Sequence, residues 1–386
     1  MRIALFTYSM LELGGGVAKY YIEVAGGLKK KYPNLELSIV TFDEKLLSKI
    51  LFLYFIYFWG NQDTNLNKET STFIKEKLKG IYYHKVKSIQ ELKKILQESD
   101  VVYSTNNLLE VLIIKFLIGY KNLPAIVYGF HIPMFYPFTK SIQSILHNFI
   151  YNSKMYFHAI SPAKKFHVLN EYDKNLLKKS LPSQRIIKIH NLSNLSINSS
   201  RIVKDKKVNK NKNINILWAG RLTEQKGIDD LVTIVDILNK SRYENSIIWN
   251  IVGEGDLRND IVRLAKRWDN VYFRGYIRND RISKIYRENN ILIVTSKWES
   301  FPYVILEAQS FGLPVISYNI PGCKDIILNN KSGYLVKDKA QFIKRLIQYI
   351  DKPAVFDKAS ILAYSKKKFS VELTLDKFYS FFTKNL

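Results

Sequence analysis

Short apolar runs rich in β-branched residues alternate along the chain with segments of helical periodicity. In the first half the strand-like runs lie at 2–8, 37–42, 100–105, 125–131, 157–162 and 185–190, and in the second half they continue from 214 to 336. Such alternation is typical of parallel sheets whose faces are covered by helices. The pattern therefore predicts an α/β protein.

The apolar run at 291–295 leads directly into a predicted helix that carries two acidic residues. Ser300 is a candidate N-cap for this helix, and Gly312 is a candidate for its end. Glu299 then lies at the mouth of a strand-to-helix crevice, and Glu307 lies about two turns along the helix. Two glutamates at this spacing are also compatible with plain surface charge, so their neighbours decide the interpretation.

Basic and glycine-rich loops follow two earlier strand-like runs of the same half. Arg221 and Lys226 come directly after the first run, where a guanidinium and an ammonium group suit phosphate oxygens. Gly253-Glu254-Gly255 follows the second run and permits close backbone approach. The carboxyl ends of parallel strands meet at one edge of a sheet, which is where open α/β sheets bind ligands.

Taken in order, these features resemble the C-terminal half of the retaining glycosyltransferases of family four, which have the two-domain GT-B fold. The matching motifs are Gly220-Arg221 with Lys226-Gly227, Gly253-Glu254-Gly255, Gly275-Tyr276, Glu299-Ser300-Phe301-Pro302 with Glu307-Ala308, Gly312-Leu313-Pro314-Val315, Gly322 and Gly333. The segment 321–325 departs from the family, which usually has two glycines and a later glutamate there. Asp325 keeps the negative charge, so we interpret the change as tolerated.

The resemblance implies two Rossmann-like domains whose parallel sheets face each other across a cleft. It implies that Arg221 and Lys226 bind the diphosphate of a nucleotide-sugar donor and that Glu307 binds the ribose hydroxyls. Glu299 is expected to contact the transferred sugar as a catalytic residue. Further donor contacts are implied for Gly253, Glu254, Phe301, Pro302 and Tyr303.

The same layout predicts the domain boundaries. Residues 1–195 form an acceptor-binding domain, and 214–368 form the nucleotide-sugar-binding domain. Between them, 196–213 is rich in Asn, Ser and Lys and poor in apolar residues, which predicts an exposed linker. Residues 369–386 are expected to form a helix that, as in the family, crosses back to the first domain.

The N-terminal half fits the family less tightly. Gly14-Gly15-Gly16 opens a predicted helix and could approach a phosphate from the opposite side of the cleft, although a plain flexible turn is the alternative. Lys19 stands where a dinucleotide-binding fingerprint needs glycine, which argues against a dehydrogenase. His131 ends the run 125–131, where the family often places an active-site histidine that faces the donor sugar. The other five histidines are assigned no role.

The chain has 386 residues and a net charge of +25, and one stretch concentrates the imbalance. No Asp or Glu occurs from Val111 to Asn170, whereas lysines interleaved with aromatic residues do. These lysines are Lys115, Lys121, Lys140, Lys154, Lys164 and Lys165. Such a surface favours anionic phospholipid or a lipid-linked diphosphate. Nucleic acid is the rival partner, but no nucleic-acid-binding motif is present, and a bias toward lysine and asparagine explains part of the excess.

Two features bear on location. The single cysteine, Cys323, excludes an internal disulfide and fits a reducing cytoplasm. The apolar run Ile50–Trp59 is shorter than the roughly 20 residues that span a bilayer, so it predicts either a segment at a membrane interface or a buried core element. We expect a cytoplasmic protein, peripheral at the inner face of the cell membrane.

The chemistry follows from which charged residues are present. The chain has no Asp-x-Asp pair and no histidine pair with zinc-like spacing, so we predict transfer without metal or cofactor, with Arg221 and Lys226 stabilising the leaving diphosphate. The acid-free surroundings of His131 offer no carboxylate nucleophile for a double displacement. Attack from the face of the leaving group, with a phosphate oxygen accepting the proton, is the expected route.

The predicted function is transfer of a hexose or N-acetylhexosamine from a nucleoside diphosphate, with UDP as the family-level expectation. The acceptor is a saccharide or a lipid-linked molecule in bacterial surface-polysaccharide assembly. Two alternatives stay open at this point: a nucleotide-sugar 2-epimerase of the same fold, and a non-catalytic membrane- or polysaccharide-binding protein.

Overall fold

The computed structural model describes residues 1–8, 11, 15–55, 77–136, 142–192 and 213–384. The chain divides into two units. The N-terminal unit comprises Met1–Leu192 together with Glu372–Leu386, and the C-terminal unit comprises Ser193–Val371. Most of the predicted linker at 196–213 lies outside the described residues.

The N-terminal unit is built on seven parallel strands. They are β1 (Arg2–Phe6), β2 (Glu36–Phe42), β3 (Tyr82–Val86), β4 (Val101–Thr105), β5 (Ala125–Phe130), β6 (Lys165–Val168) and β7 (Arg185–Lys188), in the order β3-β2-β1-β4-β5-β6-β7. Its helices before the linker are α1 (Gly15–Lys31), α2 (Glu44–Phe55), α3 (Ile89–Gln97), α4 (Leu108–Leu112), α5 (Ile142–Tyr151), α6 (Lys154–Ile160) and α7 (Glu171–Ser180). A π-helix, Ile113–Ile118, continues α4, and a short 3₁₀ turn spans Tyr120–Asn122.

The C-terminal unit repeats this plan with six parallel strands. They are β8 (Ile214–Ala219), β9 (Ile247–Val252), β10 (Val271–Phe273), β11 (Ile291–Val294), β12 (Val315–Tyr318) and β13 (Gly333–Val336), in the order β10-β9-β8-β11-β12-β13. The helices are α8 (Ile228–Asn239), α9 (Arg258–Arg267), α10 (Asn279–Glu288), α11 (Tyr303–Ser310), α12 (Cys323–Ile326), α13 (Lys339–Asp351), α14 (Lys358–Lys368) and α15 (Val371–Thr383). Three 3₁₀ turns span Glu224–Lys226, Glu244–Ser246 and Pro353–Val355.

One predicted strand is wrong. The run 157–162 belongs largely to α6, whose first turn is capped by Ser153: its Oγ accepts a hydrogen bond from the backbone N–H of Tyr156 (3.1 Å). Tyr156, Phe157 and Ile160 are buried on one face of this helix, and the strand begins only at Lys165. A short apolar run rich in aromatic residues has no period that separates a strand from a buried helical turn.

The terminal helix α15 packs within the N-terminal unit. The rings of Tyr32 and Tyr379 stack at 3.9 Å, and Lys165 is buried beneath the end of the helix. The Lys165 Nζ donates to the carbonyl oxygens of Phe381 (2.9 Å) and Lys384, so its charge meets the negative end of the helix dipole. Burial lowers the pKa of Lys165. The prediction that Lys165 belongs to a basic surface is therefore wrong.

The apolar run at 50–59 lies partly in α2, which ends at Phe55, and 56–59 lie outside the described residues. Within the described part of the chain, no helix has both the length and the apolar character needed to cross a bilayer.

Candidate functional site

The chain connections of the C-terminal sheet change direction between β8 and β11, which are hydrogen-bonded neighbours at its centre. Ligands of open α/β sheets bind in the crevice beyond the carboxyl ends of the strands at such a switch point. Arg221 and Lys226 follow β8, and Glu299 follows β11. Glu299 is therefore brought to the same crevice as Arg221 and Lys226, which precede it by more than 70 residues.

Hydrogen bonds hold the two crevice loops together. The indole Nε1 of the buried Trp218 donates to Oγ1 of Thr295 (3.0 Å), and that hydroxyl donates to the carbonyl of Lys226 (2.7 Å). The side-chain amide of Gln225 donates to the carbonyl of Trp298 (3.1 Å). Because Trp218 and Thr295 are buried, the folded unit itself fixes the position of these loops.

Lys226 and Glu299 form an ion pair between Nζ and Oε1, with side chains only 17% and 9% exposed. Next to them, the thiol of Cys323 is buried, and this burial, with the nearby charge of Glu299 as the second cause, raises its pKa to about 12. The pair joins the residue expected at the diphosphate to the residue expected at the sugar. An ammonium group has three donor hydrogens, so Lys226 has donors for phosphate oxygens while it contacts Glu299.

Arg221 differs from Lys226 in its exposure. Its side chain is exposed at the crevice, and its Nη2 makes one long hydrogen bond to Oε1 of Gln225 (3.4 Å). A guanidinium held this loosely keeps most of its five donors for an incoming anion.

The loop Gly253-Glu254-Gly255 lies against the first crevice loop. Gly253 has φ 143°, and a Cβ on it would come within 1.8 Å of the carbonyl oxygen of Gly220. The backbone N–H of Leu222 also donates to the carbonyl of Glu254 (2.8 Å). Close approach here is thus between two protein backbones. The Glu254 carboxylate pairs with Arg258 (3.3 Å) at the start of α9.

Glu307 lies on α11 with its side chain buried. Its Oε2 accepts a hydrogen bond from the hydroxyl of Tyr286 (2.8 Å), which is itself buried against Phe311. Burial, and then the charge of Glu307, raises the pKa of Tyr286 well above its usual range. Tyr286 therefore stays a hydrogen-bond donor that orients the carboxylate expected to bind ribose.

The start of α11 differs from the prediction. The helix begins at Tyr303 with Pro302 at its N-cap position, so Ser300 does not cap it and Glu307 is little more than one turn along it. Gly322, whose positive φ of 81° favours glycine, lies so close to the backbone carbonyls of Glu299 and Ser300 that a Cβ on it would come within 2.8 Å of both oxygens. Pro302 is buried, as is Phe301, whose ring packs edge-on against that of Phe369 (6.1 Å between centroids).

The predicted glycine loop of the N-terminal unit is described only in part. α1 begins at Gly15, and Gly14 lies outside the described residues. Gly16 is exposed, and a Cβ added to it would meet nothing within 4 Å. A side chain at Gly16 would therefore have room, and the first backbone N–H groups of α1 have no partners within the helix.

His131 lies directly after β5 in a chain of hydrogen-bonded rings. The hydroxyl of Tyr103, on the neighbouring strand β4, is 2.8 Å from His131 Nε2 and 2.8 Å from His167 Nδ1. Burial lowers the pKa of His167 to about 4, and burial together with the nearby His167 lowers that of His131 well below its usual range. Both imidazoles are therefore neutral at pH 7.

The hydrogen bonds fix which nitrogen carries each proton. His167 Nε2 lies 2.9 Å from the carbonyl oxygen of Ile189, which only accepts, so His167 carries its proton on Nε2. Its Nδ1 must then accept the Tyr103 hydroxyl proton, and the Tyr103 oxygen must accept from His131 Nε2. His131 is left with a lone pair on Nδ1, the form in which it accepts a proton or a hydrogen bond.

Glu110 is a buried carboxylate that follows β4, and its oxygens are saturated with hydrogen bonds. Oε1 accepts from the Thr7 hydroxyl (2.9 Å) and the Tyr8 N–H (3.1 Å), and Oε2 accepts from Ser104 and from both the N–H and the hydroxyl of Thr105 (2.7–2.8 Å). These contacts join the carboxyl ends of β1 and β4. They occupy the lone pairs that a nucleophile would need.

Sequence reasoning singled out neither Glu110 nor Tyr103, and it gave His167 no role. The available signal was a ring with a polar group next to apolar neighbours: Tyr103 follows Val101-Val102 in β4, and His167 lies between Phe166 and Val168 in β6. Buried polar groups need partners, so such residues mark hydrogen-bonded networks.

Part of the C-terminal unit resembles known glycosyltransferases. Residues 199–369 match the family model described as Glycosyl transferases group 1. A Klebsiella pneumoniae protein named "Uncharacterized 41.2 kDa protein in cps region" is 35% identical over 135 residues, which is 34% of this chain and 36% of that protein. The Escherichia coli UDP-Gal:alpha-D-GlcNAc-diphosphoundecaprenol alpha-1,3-galactosyltransferase is 33% identical over 141 residues, 34% of this chain and 35% of that enzyme. The chain thus spans about a third of the length of these two relatives.

The fold has close counterparts over its whole length. The solved structure of the lipopolysaccharide outer core galactosyltransferase WaaB in its apo form matches with a TM-score of 0.69 and 18% identity, covering 100% of both chains. At this identity the likeness shows the fold, which is GT-B, and the predicted fold class is confirmed.

Proposed function

The C-terminal half of this chain belongs to the glycosyl transferases group 1 family, and from this we propose that the protein is a retaining glycosyltransferase. It transfers a hexose or N-acetylhexosamine from a UDP-sugar to a saccharide or lipid-linked acceptor in bacterial surface-polysaccharide assembly. The observation that carries the proposal is the buried Lys226–Glu299 pair at the switch point of the C-terminal sheet. A paired cation and carboxylate in such a crevice suit a diphosphate and the sugar attached to it.

Donor binding divides among four side chains. The exposed guanidinium of Arg221 and the ammonium of Lys226 contact the diphosphate, Glu299 contacts the sugar hydroxyls, and Glu307, oriented by Tyr286, contacts the ribose. As the bond between the anomeric carbon and the phosphate oxygen breaks, negative charge builds on the diphosphate. Fixed cations stabilise that charge without a metal ion.

We propose that the acceptor hydroxyl attacks the anomeric carbon from the face of the leaving group. The hydroxyl oxygen forms the new glycosidic bond, the departing phosphate oxygen takes its proton, and the nucleoside diphosphate leaves. Glu110 supports this route, because five hydrogen bonds engage its two oxygens. His131, neutral and with a lone pair on Nδ1, accepts a hydrogen bond from the donor sugar.

The proposed class of acceptor is inferred from the names of two relatives and from the charge of the N-terminal unit. One relative is named for a diphosphoundecaprenol-linked acceptor and another for a cps region. The acid-free stretch from Val111 to Asn170 lies in the N-terminal unit and suits an acceptor with a lipid-linked diphosphate. We place the protein at the cytoplasmic face of the membrane, where such acceptors are extended.

The test is a panel of nucleotide-sugars screened for binding and for slow hydrolysis by the purified protein, followed by acceptor-dependent release of the nucleotide. We expect one UDP-sugar to bind and to be consumed in the presence of a chelator, with the product keeping the anomeric configuration of the donor. An epimerised donor without nucleotide release would identify an epimerase instead. Absence of binding to every activated sugar and free nucleotide would overturn the proposal.

A further inference from the structure

Helix α5 presents its apolar side chains outward. Ile142, Ile145, Leu146 and Phe149 are 80%, 61%, 39% and 74% exposed. Their spacing of three, one and three residues puts them on one face of the helix. An amphipathic helix on a protein surface normally turns its apolar face toward the core, whereas α5 turns its apolar face toward the solvent.

The opposite face of α5 is polar and is attached to the protein. Asn148 accepts from the backbone N–H of Tyr136 (2.8 Å) and donates to the Tyr136 carbonyl (3.2 Å). His147 Nε2 donates to the carbonyl of Pro133 (2.7 Å), and its ring is stacked between Tyr136 (3.8 Å) and Tyr151 (4.3 Å). Ser144 is buried on the same side. These contacts fix the rotation of the helix, so the outward apolar face is built into the fold.

A further apolar side chain is exposed on the neighbouring helix α6, which begins three residues after the end of α5. Met155, near the start of α6, is 82% exposed, and the rings of Tyr151 and Tyr156 join the two helices at 4.8 Å. Lys154 is exposed beside Met155. The surface consisting of Ile142, Ile145, Leu146, Phe149, Lys154 and Met155 is called here the α5 face.

The charge around the α5 face is positive. A groove of about 580 Å³ adjoins Lys154 and is also lined by His158 and Lys179, with no acidic residue in its lining. The nearest acids in sequence lie on α7 and are engaged: Glu171 pairs with Lys188 (2.7 Å), and Asp173 is buried. Exposed apolar side chains flanked by lysine suit a surface that has both an apolar interior and anionic headgroups.

We propose that the α5 face docks the N-terminal unit on an anionic phospholipid bilayer. Ile142, Ile145, Phe149 and Met155 enter the boundary between headgroups and acyl chains, while Lys154 and the basic groove contact lipid phosphates. A second copy of this chain would cover the apolar residues but would bring two sets of lysines together, which disfavours it. The inference is independent of sugar transfer, because none of these residues belongs to the donor site.

The test measures sedimentation of the purified protein with vesicles of phosphatidylcholine alone and of phosphatidylcholine mixed with phosphatidylglycerol. We expect binding to the mixed vesicles that weakens with salt, and about a tenfold loss of that binding for each of Phe149→Gln and Lys154→Glu. Ile237→Gln and Lys240→Glu are the matched controls, since both residues are exposed on or next to helix α8 of the C-terminal unit. They should bind as the unmodified protein does.

Three outcomes would overturn the proposal. These are no binding to either vesicle, equal loss in the control variants, or dimers in light scattering that Phe149→Gln dissociates. Glutamine keeps the helix propensity of α5, and circular dichroism verifies folding. Titration of the same samples with the panel of nucleotides and nucleotide-sugars separates the two claims. Nucleotide binding without vesicle binding would contradict this inference alone, and vesicle binding without binding of any member of the panel would contradict the proposed function alone.

Discussion

The two units hold their candidate site residues in different ways. In the C-terminal unit, Arg221, Lys226 and Glu299 lie in loops that follow adjacent strands, and hydrogen bonds involving the loop backbones bring them together. In the N-terminal unit, His131 is held by Tyr103 and His167, side chains on different strands. The residues of the first site lie in short sequence motifs after the strands. Those of the second site come from different strands and meet through the packing of aromatic rings.

The difference extends to charge. The C-terminal site has a lysine paired with a carboxylate, whereas the N-terminal site has imidazoles kept uncharged by burial. All six histidines occur at or before position 190, and none occurs from 193 to 371. The two units should therefore respond differently to substitution and to acid.

The largest effect is expected from Lys226→Met. The substitution removes a cation from the diphosphate site and leaves Glu299 buried without its ion-pair partner. We expect a loss of about 10²–10³-fold in kcat for nucleotide release, the scale for removing one group that stabilises transition-state charge. The measurement is steady-state release of the nucleotide, with thermal unfolding followed on the same samples.

Lys297→Met is the matched control, because Lys297 lies on the same loop as Glu299 and its side chain is 18% exposed, close to the value for Lys226. Its ion-pair partner is the exposed Asp229 of α8 (2.9 Å). This variant should keep kcat within about threefold, since a pair with an exposed partner contributes little. Equal losses in both variants would show that the general charge of the crevice matters and not the Lys226–Glu299 pair.

Acid should destabilise the N-terminal unit first. The pKa of His167 is about 4 in the folded protein, below the roughly 6.5 expected when unfolded. Across this window the unfolded chain binds a proton that the folded unit does not, so stability is complete above about pH 6.5 and falls as the pH drops toward 4. One such group accounts for about 3 kcal/mol, and His131 and His147 act in the same direction.

Hydrogen exchange, corrected for the intrinsic effect of pH, would show this as loss of protection in peptides of the N-terminal unit between pH 7 and 5. His158, which is exposed, supplies the control: His158→Gln should leave the pH dependence unchanged, whereas His167→Gln should flatten it. Simultaneous loss of protection in both units would contradict the assignment.

The fold class could be predicted from the sequence. So could the proximity of Arg221, Lys226 and Glu299, because each lies in the loop that follows an apolar run. Strand ends of a parallel sheet share an edge, so spacing along the chain translates into proximity. The cap of α11 was wrong at Ser300 because the helix begins at Tyr303, with Pro302 at its N-cap position. The distant Gly322 lies against the carbonyls of Glu299 and Ser300, and no local pattern reveals such a contact.

The N-terminal unit was harder to predict for the same reason. Lys165 was counted among surface lysines, since lysines are rarely buried, yet it binds the carbonyls at the end of α15, which lie more than 200 residues away. Tyr103 and His167 lie in different strands, and only the pairing of β4, β5 and β6 brings them to His131. Contacts between residues that are distant in sequence depend on the tertiary structure, and local sequence patterns do not predict them.

A smaller effect is expected from Tyr103→Phe, which tests whether the ring chain positions His131. The substitution removes two hydrogen bonds and leaves His131 Nε2–H and His167 Nδ1 without partners, which costs about 1–3 kcal/mol in unfolding free energy. We expect kcat to fall about tenfold with a changed acid limb of its pH profile, because the His131 tautomer is no longer fixed, while nucleotide affinity is kept.

Tyr120→Phe provides the comparison, since that hydroxyl also makes two hydrogen bonds, to Tyr128 (2.8 Å) and to the carbonyl of Ala159 (2.6 Å). It should lower stability to a similar extent without altering the pH profile. If the pH profile of kcat were unchanged in Tyr103→Phe, Tyr103 would contribute to packing and stability but would not position His131.

The smallest effect is expected from Gly16→Ala, which asks whether the glycine of α1 serves the fold or a ligand. A Cβ there meets nothing within 4 Å, so the substitution should raise the unfolding free energy by about 0.4–1 kcal/mol through the entropy of the unfolded chain. If a phosphate approaches this helix start, the same methyl group should raise the KM for donor or acceptor several-fold.

Gly253→Ala is the counterpart, because its Cβ would meet the Gly220 carbonyl at 1.8 Å and should destabilise the C-terminal unit instead. A Gly16→Ala protein that is more stable and kinetically unchanged would assign that glycine to the turn alone and leave phosphate binding to the crevice of the C-terminal unit.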